Sequence, residues 1–268
     1  MPSRLANKWV LITGASSGFG AAGALAFAAE GAKLLLGARR VERLEQVAAE
    51  ARKAGAPVAL AHALDVEQTR SVEAFVTWAK ERIAQDAGSA APKLDVLVNN
   101  AGGAHGLDPV ATAKDEDWEA MMQSNVLGVL RMTRACLPLL VNNPGSLILN
   151  IGSIASRTAY EGGAAYCAAK AGELQITRAL RLELFGTGVR VGTLDPGLAE
   201  TEFSIVRFKG DTARAKKVYD GTVPLRSEDV AEAMVWMASR PPHVCIDEMI
   251  IKCTDQAAIY KLYRRAAQ

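Results

Sequence analysis

Cysteine is scarce in this chain: there are four, Cys136, Cys167, Cys245 and Cys253. None pairs with another as C-x-x-C, and none stands at metal-ligand spacing from the histidines, His62, His105 and His243. No metal centre is therefore expected, and the thiols are expected to be free and reduced, as in a cytoplasmic protein. No run reaches the roughly 18 apolar residues that a membrane span needs. The apolar stretch Trp9–Ile12 comes too early and is too short for a signal-peptide core, and it runs straight into a glycine loop. An excess of either charge is also lacking. A net charge of +2 is too small for a nucleic-acid or anionic-membrane footprint, so neither partner is expected. No break in composition divides the chain.

What is present is an apolar chain with a regular rhythm. Of 268 residues, 50% are hydrophobic and 22% charged, enough for a sizeable core in one domain spanning residues 1–268. Short apolar runs at Trp9–Thr13, Lys33–Gly37, Pro57–Leu64, Leu94–Val98, Ser146–Ile151, Val189–Leu194 and Glu248–Lys252 read as strands. Helical patterns fill the gaps: an alanine-rich segment to about Glu30, then Val41–Lys53, Glu67–Gln85, Asp115–Leu140, Gly163–Leu184 and Glu228–Ser239. The Ala/Gly/Ser stretch Asp86–Ala91 reads as a surface loop, and the less periodic residues 198–226 as a short helical lid. This alternation predicts a doubly wound α/β fold, a parallel sheet of about seven strands with helices on both faces. Such sheets bind ligands beyond the carboxyl ends of their strands. Gly14–Gly20, Asp65, Asn99–Gly102, Ser153 and Asp195–Gly197 all follow strand ends and therefore converge on one edge.

The loop Gly14-Ala15-Ser16-Ser17-Gly18-Phe19-Gly20 joins the first strand to the first helix. Glycine there permits positive φ and close approach of the backbone to a pyrophosphate, which the helix N-terminus stabilises. The spacing G-x-x-x-G-x-G only approximates the usual dinucleotide fingerprint, and a purely structural turn is the competing reading. The second strand discriminates between nucleotides. NAD sites carry a carboxylate about 20 residues past the glycines, for the ribose 2′-OH. Here Lys33–Ala38 ends without one, and Arg39-Arg40 follows. Guanidinium donors suit a 2′-phosphate, so NADP(H) is the expected cofactor. Solvated charges at a helix start are the alternative.

Tyr166-Cys167-Ala168-Ala169-Lys170 puts a phenol and an ammonium one helical turn apart on one face. Moving a phenol from its ordinary pKa of about 10 to about 7 takes roughly 4 kcal/mol. A cation about 4–5 Å away, at an effective dielectric of about 20, supplies roughly 3–4 kcal/mol. By itself the spacing also fits an exposed helix pair.

Together these residues resemble the classical short-chain dehydrogenase/reductase family. The match is Thr13-Gly14-x-x-x-Gly18-x-Gly20, Asp65, Asn99-Asn100-Ala101-Gly102, Asn125, Ser153, Tyr166-x-x-x-Lys170 and Pro196-Gly197, in order over nearly the whole chain. The resemblance implies a Rossmann domain and a catalytic tetrad of Asn125, Ser153, Tyr166 and Lys170. In that scheme Tyr166 is the acid or base on the substrate oxygen, and Ser153 hydrogen-bonds the same oxygen. Lys170 holds the nicotinamide ribose and lowers the tyrosine pKa, while Asn125 supports a relay water. A mid-helix residue and a helix cap are the structural alternatives for Asn125 and Ser153. The resemblance also implies cofactor contacts from Ser16, Ser17 and Phe19 of the glycine loop. Asp65 and Val66 would flank the adenine, Asn99 and Gly102 the ribose, and Pro196 and Gly197 the nicotinamide. Ala101 would be a further cofactor contact, with the Leu198 backbone and Thr201 hydroxyl on the carboxamide or pyrophosphate. Phe19 stands where many relatives are aliphatic, and Asp195 where asparagine is common. A homotetramer is implied too, with the two long helices forming one interface and the C-terminal part another. The sequence leaves open whether Tyr260–Gln268 reaches across subunits or frays.

Pro196–Asp211 is similar to NADP-dependent dehydrogenases of small 3-hydroxy acids such as serine and allo-threonine. A small acid needs a cation, which Arg207 or Lys209 on the lid would supply. Subunit contact or surface charge is the alternative for both. Ala155, His105, Glu161 and Cys167 are further candidates for the pocket wall. The function expected is interconversion of a secondary alcohol, as in a 3-hydroxy acid, with its carbonyl by hydride transfer. A 3-oxoacyl or broad ketone reductase is the alternative within the class, and an NADP(H)-binding sensor without turnover lies outside it.

Overall fold

Apolar runs without a polar alternate face belong in a sheet that is covered on both sides. The computed structural model describes residues 3–88 and 91–266. In it, seven such runs form one parallel sheet of order β3-β2-β1-β4-β5-β6-β7. The strands are β1 (Trp9–Thr13), β2 (Lys33–Ala38), β3 (Ala59–Ala63), β4 (Val96–Asn99), β5 (Leu147–Ile151), β6 (Arg190–Pro196) and β7 (Glu248–Ile251). Alternate residues of the central strands feed different cores. Val10, Ile12, Leu34 and Leu36 pack under α1 (Gly18–Ala29), α2 (Val41–Ala54) and α9 (Ser227–Ala238). Leu11, Leu35 and Leu97 pack under α3 (Thr69–Ala87), α5 (Gly128–Leu140) and α6 (Ala164–Glu183). Phe27 and Phe75 anchor the two sides without exposure, each contributing roughly 1.5–3 kcal/mol by burial.

Because β1 lies between β2 and β4, the chain winds outward from it in both directions. Loops leaving β1 and β4 therefore diverge and open a crevice at their carboxyl ends. The helix expected over Asp115–Leu140 is interrupted. It consists of α4 (Asp115–Met122), a π-turn at Gln123–Leu127, and α5. Ser124 Oγ donates to the Ala120 carbonyl and Asn125 Nδ2 to the Met121 carbonyl, both at 2.8 Å. These side chains bond the carbonyls that the wider turn displaces, and such single π-turns are frequent at functional sites.

Residues 198–226 contain α7 (Phe203–Arg207) and α8 (Thr212–Lys217), closed by a parallel bridge between Ala199 and Leu225. Past β7 a small antiparallel hairpin, β8 (Gln256–Ala258) with β9 (Lys261–Leu262), was not expected from the periodicity. It turns the tail back onto its own chain. Arg265 pairs with Asp255, and its amide donates to the Gly221 carbonyl at 2.7 Å. The end of that tail, Ala267 and Gln268, lies outside the described residues, as do Ser89 and Ala90 of the expected Asp86–Ala91 loop. Asp86 and Ala87 of that loop belong to α3 instead. No described helix is long and apolar enough to cross a membrane.

Candidate active site

The crevice is a cavity of about 670 Å³. Its floor is the glycine loop, where Gly14 and Gly18 have φ of 67° and 53°, the left-handed region that disfavours side chains. A Cβ on Gly14 would lie 2.9 Å from the Ala101 Cα. Thr13 Oγ1 fixes this close approach by accepting from the Asn100 and Ala101 amides at 3.0 and 2.9 Å. Helix α1 starts at Ser17, whose side chain makes no cap bond to the helix and instead accepts from Arg40 at 2.6 Å. The first-turn amides thus remain donors for an anion.

Ser16, Ser17, Gly18, Phe19, Arg39, Arg40, Asp65, Val66, Ala101, Gly102, Pro196, Gly197, Leu198 and Thr201 all line the cavity, as does Gly14. Arg40 also pairs with Glu202 at 2.9 Å, and Arg43 shares that carboxylate at 2.8 Å. Arg39 is largely exposed, with Glu67 3.7 Å away. Two guanidinium groups and a hydroxyl at the end of β2, with no β2 carboxylate, fit a nucleotide carrying a 2′-phosphate.

Three of the expected cofactor and catalytic residues are not in the cavity wall. Gly20 sits behind the loop, where an added Cβ would come 2.5 Å from the Gly14 carbonyl. Asn99 turns into the protein and donates to Thr133 Oγ1 at 3.1 Å and Asn150 Oδ1 at 2.9 Å; the neighbouring Asn100 lines the cavity instead. Strand alternation is the reason, since successive side chains point to opposite faces. Asn125 is buried in the π-turn. It donates to the Gly103 carbonyl at 2.9 Å and accepts from the Gly103 amide at 3.2 Å, holding the loop after β4 from behind.

Ser153, Tyr166 and Lys170 meet in the cavity wall. Ser153 opens the short 3₁₀ turn Ile154–Ser156, its Oγ accepting from the Ala155 amide at 3.1 Å. It is therefore a cap and a cavity residue at once, with its own proton still to donate. The Tyr166 ring packs against Phe203 at 5.4 Å. Lys170 Nζ donates to the Ile151 carbonyl at 2.8 Å and to Glu173 Oε2 at 2.7 Å. Burial opposes the lysine charge, but Glu173, Tyr166 and Asp195 outweigh it and hold its pKa above the ordinary value. Burial pushes the Glu173 carboxyl up to about 7, against the pull of Lys170.

A carboxyl that holds its proton more tightly folded than unfolded stabilises the fold at acid pH. That contribution is fully present below about 4.5 and is lost as pH rises through about 7. Glu173→Gln should therefore show a smaller fall in Tm between pH 5 and 8 than the wild type. Thermal unfolding across that range checks this, and parallel curves would contradict it.

The two cations Arg207 and Lys209 part company. Lys209 pairs with Asp117 on α4 at 2.8 Å, at the surface. Arg207 enters the cavity wall, donating through Nε to the Gly106 carbonyl at 3.1 Å and through a terminal nitrogen to the Tyr160 hydroxyl at 2.5 Å. Its guanidinium carbon lies 5.3, 5.7 and 5.9 Å from the ring centroids of Tyr160, Tyr166 and Phe203. A carbonyl and a hydroxyl leave its charge uncompensated among the described residues. Burial lifts the Tyr160 pKa to about 12, although Arg207 opposes this, so the phenol stays protonated. Ala155 and His105 line the cavity; Glu161 and Cys167 do not.

Tyr160, Glu173 and Gln256 were missed from sequence. Gln256 Oε1 accepts from the Leu198 amide at 2.7 Å, pinning the start of residues 198–226. Only Glu173 had a local signal, because it lies on the helix face of Tyr166 and Lys170 at i+7 and i+3. Asp195 is fully buried and accepts from Arg157 at 2.7 and 3.1 Å. An asparagine there would leave that guanidinium without its full counter-charge.

Residues 8–211 match the family model for short chain dehydrogenase. The chain is 40% identical over 266 residues to an NADP-dependent 3-hydroxy acid dehydrogenase of Schizosaccharomyces pombe, covering 99% of this chain and 100% of that protein. It is 42% identical over 249 residues to a sulfoacetaldehyde reductase of Chromohalobacter salexigens, covering 92% and 94%. Among solved structures, the closed form of a serine dehydrogenase complexed with NADP+ superimposes with a TM-score of 0.83 at 39% identity, covering 97% of this chain and 100% of that one.

Proposed function

The chain belongs to the short-chain dehydrogenase family, and from that premise we propose that it is an NADP(H)-dependent oxidoreductase interconverting a small 3-hydroxy acid, of the serine or allo-threonine type, with its carbonyl. NADP(H), when bound, supplies or accepts the hydride. In this reading Tyr166 exchanges the proton of the substrate oxygen, and Ser153 donates a hydrogen bond to that oxygen as it gains negative charge. Lys170 favours the phenolate by its charge, and Asn125 acts by holding Gly103. Residues 198–226 act as the lid that carries Arg207.

The observation that carries the substrate class is the uncompensated Arg207 guanidinium, stacked beside the Tyr166 ring and bonded to a protonated Tyr160. A carboxylate held by Arg207 and the Tyr160 hydroxyl would leave the hydroxyl-bearing carbon of a 3-hydroxy acid, two carbons further along, toward Tyr166 and Ser153. An anionic substrate also suits both named relatives, the 3-hydroxy acid dehydrogenase and the sulfoacetaldehyde reductase.

Reduction of NADP+ with serine, allo-threonine, 3-hydroxyisobutyrate and neutral alcohols, measured side by side, tests the assignment. Acids should be preferred. Losing a charge-assisted contact costs about 1.5–3 kcal/mol, so Arg207→Ala should raise KM for acids roughly 10–100-fold and change neutral alcohols little. Equal losses on both would remove Arg207 from recognition. Preference for carrier-bound thioesters or neutral ketones would favour the 3-oxoacyl or broad ketone reductase. NADPH binding without any turnover would favour a sensor.

The assembly we propose is a homotetramer in the cytoplasm. Exposed Leu130 on α5, Leu182 on α6 and Phe185 just beyond it support burial of that face between copies. Four free cysteines support a reducing compartment. Light scattering at the mass of one chain would refute the assembly.

A further inference from the structure

Helix α6 carries three ionisable residues on one face, at spacings i, i+4 and i+7: Tyr166, Lys170 and Glu173. An ammonium has three donors. Two of those on Lys170 are taken by the Ile151 carbonyl and Glu173 Oε2, which leaves one for the cavity whose wall Lys170 forms. Glu173 is 1% exposed, and its second oxygen, Oε1, is buried without a described hydrogen-bond partner. A carboxylate in that state costs stability that a well-packed apolar side chain would not. Lys170 is its one described side-chain partner. The feature therefore calls for an explanation beyond packing, and the position of Lys170 supplies it.

We propose that Glu173 is a positioning residue for the reaction, holding the Lys170 ammonium toward the cleft and offsetting part of the positive charge that reaches Tyr166. The proposal rests on the reading of Tyr166 and Lys170 as the reacting pair. The ionised groups facing Glu173 are Lys170 on its own helix and Asp195 on β6. Asp195 is bridged by Arg157 from the segment after β5, and Arg157 and Arg178 together hold Glu248 on β7. From β5 the nearby group is the uncharged Asn150, bonded to Thr177, which itself bonds the Glu173 carbonyl. The Lys170 contact is thus the one through which a change at Glu173 reaches the cleft. Burial sets the Glu173 carboxyl near neutrality. In alkaline solution, where alcohol oxidation is read, it is ionised and opposes the lysine charge.

The test uses the intact wild-type protein, Glu173→Gln and Glu173→Leu. For each, kcat of hydroxy-acid oxidation is followed from pH 6 to 10, and NADPH affinity is measured by fluorescence titration. Gln keeps the size and an acceptor but not the charge. Its acid limb of kcat should move by roughly one unit toward lower pH, with NADPH affinity within about threefold of wild type. Leu removes the anchor as well, so kcat should fall at least about tenfold and NADPH binding weaken about tenfold. A Glu173→Gln profile that overlies the wild type, or moves the other way, overturns the proposal. So does a Glu173→Leu protein with wild-type kcat and NADPH affinity. Should the Leu protein fail to fold, shown by its melting curve, the Gln profile decides alone. A wild type without turnover sinks the hydride-transfer reading and this proposal together. An active wild type with unaltered variants sinks only this one.

Discussion

Tyr166→Phe should lower kcat by about three orders of magnitude while leaving NADPH affinity within about threefold. Removing a positioned general acid or base typically costs about 10²–10⁴ in rate. This substitution removes only an oxygen. The ring keeps its packing against Phe203 and remains under the Arg207 guanidinium, so the cavity wall and its charge survive. Initial rates of NADPH oxidation with the matching keto acid, alongside fluorescence titration of NADPH, separate chemistry from binding. Wild-type turnover in Tyr166→Phe would take Tyr166 out of the mechanism. A parallel loss of NADPH binding would mean that the cleft had collapsed. Ser153→Ala offers a useful contrast, because Ser153 Oγ also accepts from the Ala155 amide, and its loss disturbs the turn as well as the chemistry.

The second large effect concerns the nucleotide. Arg39→Ala/Arg40→Ala should weaken NADPH about 100-fold and NADH by less than about threefold, reversing any preference for the phosphorylated cofactor. Each charge-assisted contact to a phosphate is worth about 1.5–3 kcal/mol, and a 2′-hydroxyl makes no such demand. Arg40 is expected to contribute more than Arg39. It sits between Ser17 and Glu202 at hydrogen-bond distance, whereas Arg39 is mostly solvated with one long ion pair. Arg40 gives up part of its contact with Glu202 when it takes a phosphate, so its net effect is smaller than a free guanidinium would give. Affinities measured for both cofactors over a range of salt concentration check this. Equal weakening of NADPH and NADH would show that the arginines merely hold the loop.

Much of the fold was legible because its signals are local. The strands expected at Trp9–Thr13 and Lys33–Gly37 correspond to β1 and β2, and Gly163–Leu184 to α6, with ends that shift by a residue or so. All-apolar runs between amphipathic stretches admit few arrangements other than a covered parallel sheet. The errors fall where a local pattern was overridden. Asp115–Leu140 keeps a helical periodicity through a π-turn, because Ser124 and Asn125 satisfy the displaced carbonyls with their own side chains. The hairpin β8–β9 is too short for a periodic signal, and the chain beyond it is held by Arg265 against Asp255 and Gly221.

The amino-acid order by itself determined the α/β class, the glycine cradle, the arginines after β2 and the Tyr166–Lys170 pair. In each case the chemistry lies within one turn of helix or one strand-to-helix junction, and short-range geometry is written directly into spacing. Only the tertiary structure decided that Arg207 rather than Lys209 faces the pocket, that Tyr160 stands beside it, that Asn99 turns inward, and that Glu173 is shut in with Lys170. The first two depend on segments far apart in sequence packing against one another, and the third on which face of β4 meets the core. The last depends on burial, a property of everything that surrounds a side chain and of nothing in its own neighbourhood of the chain.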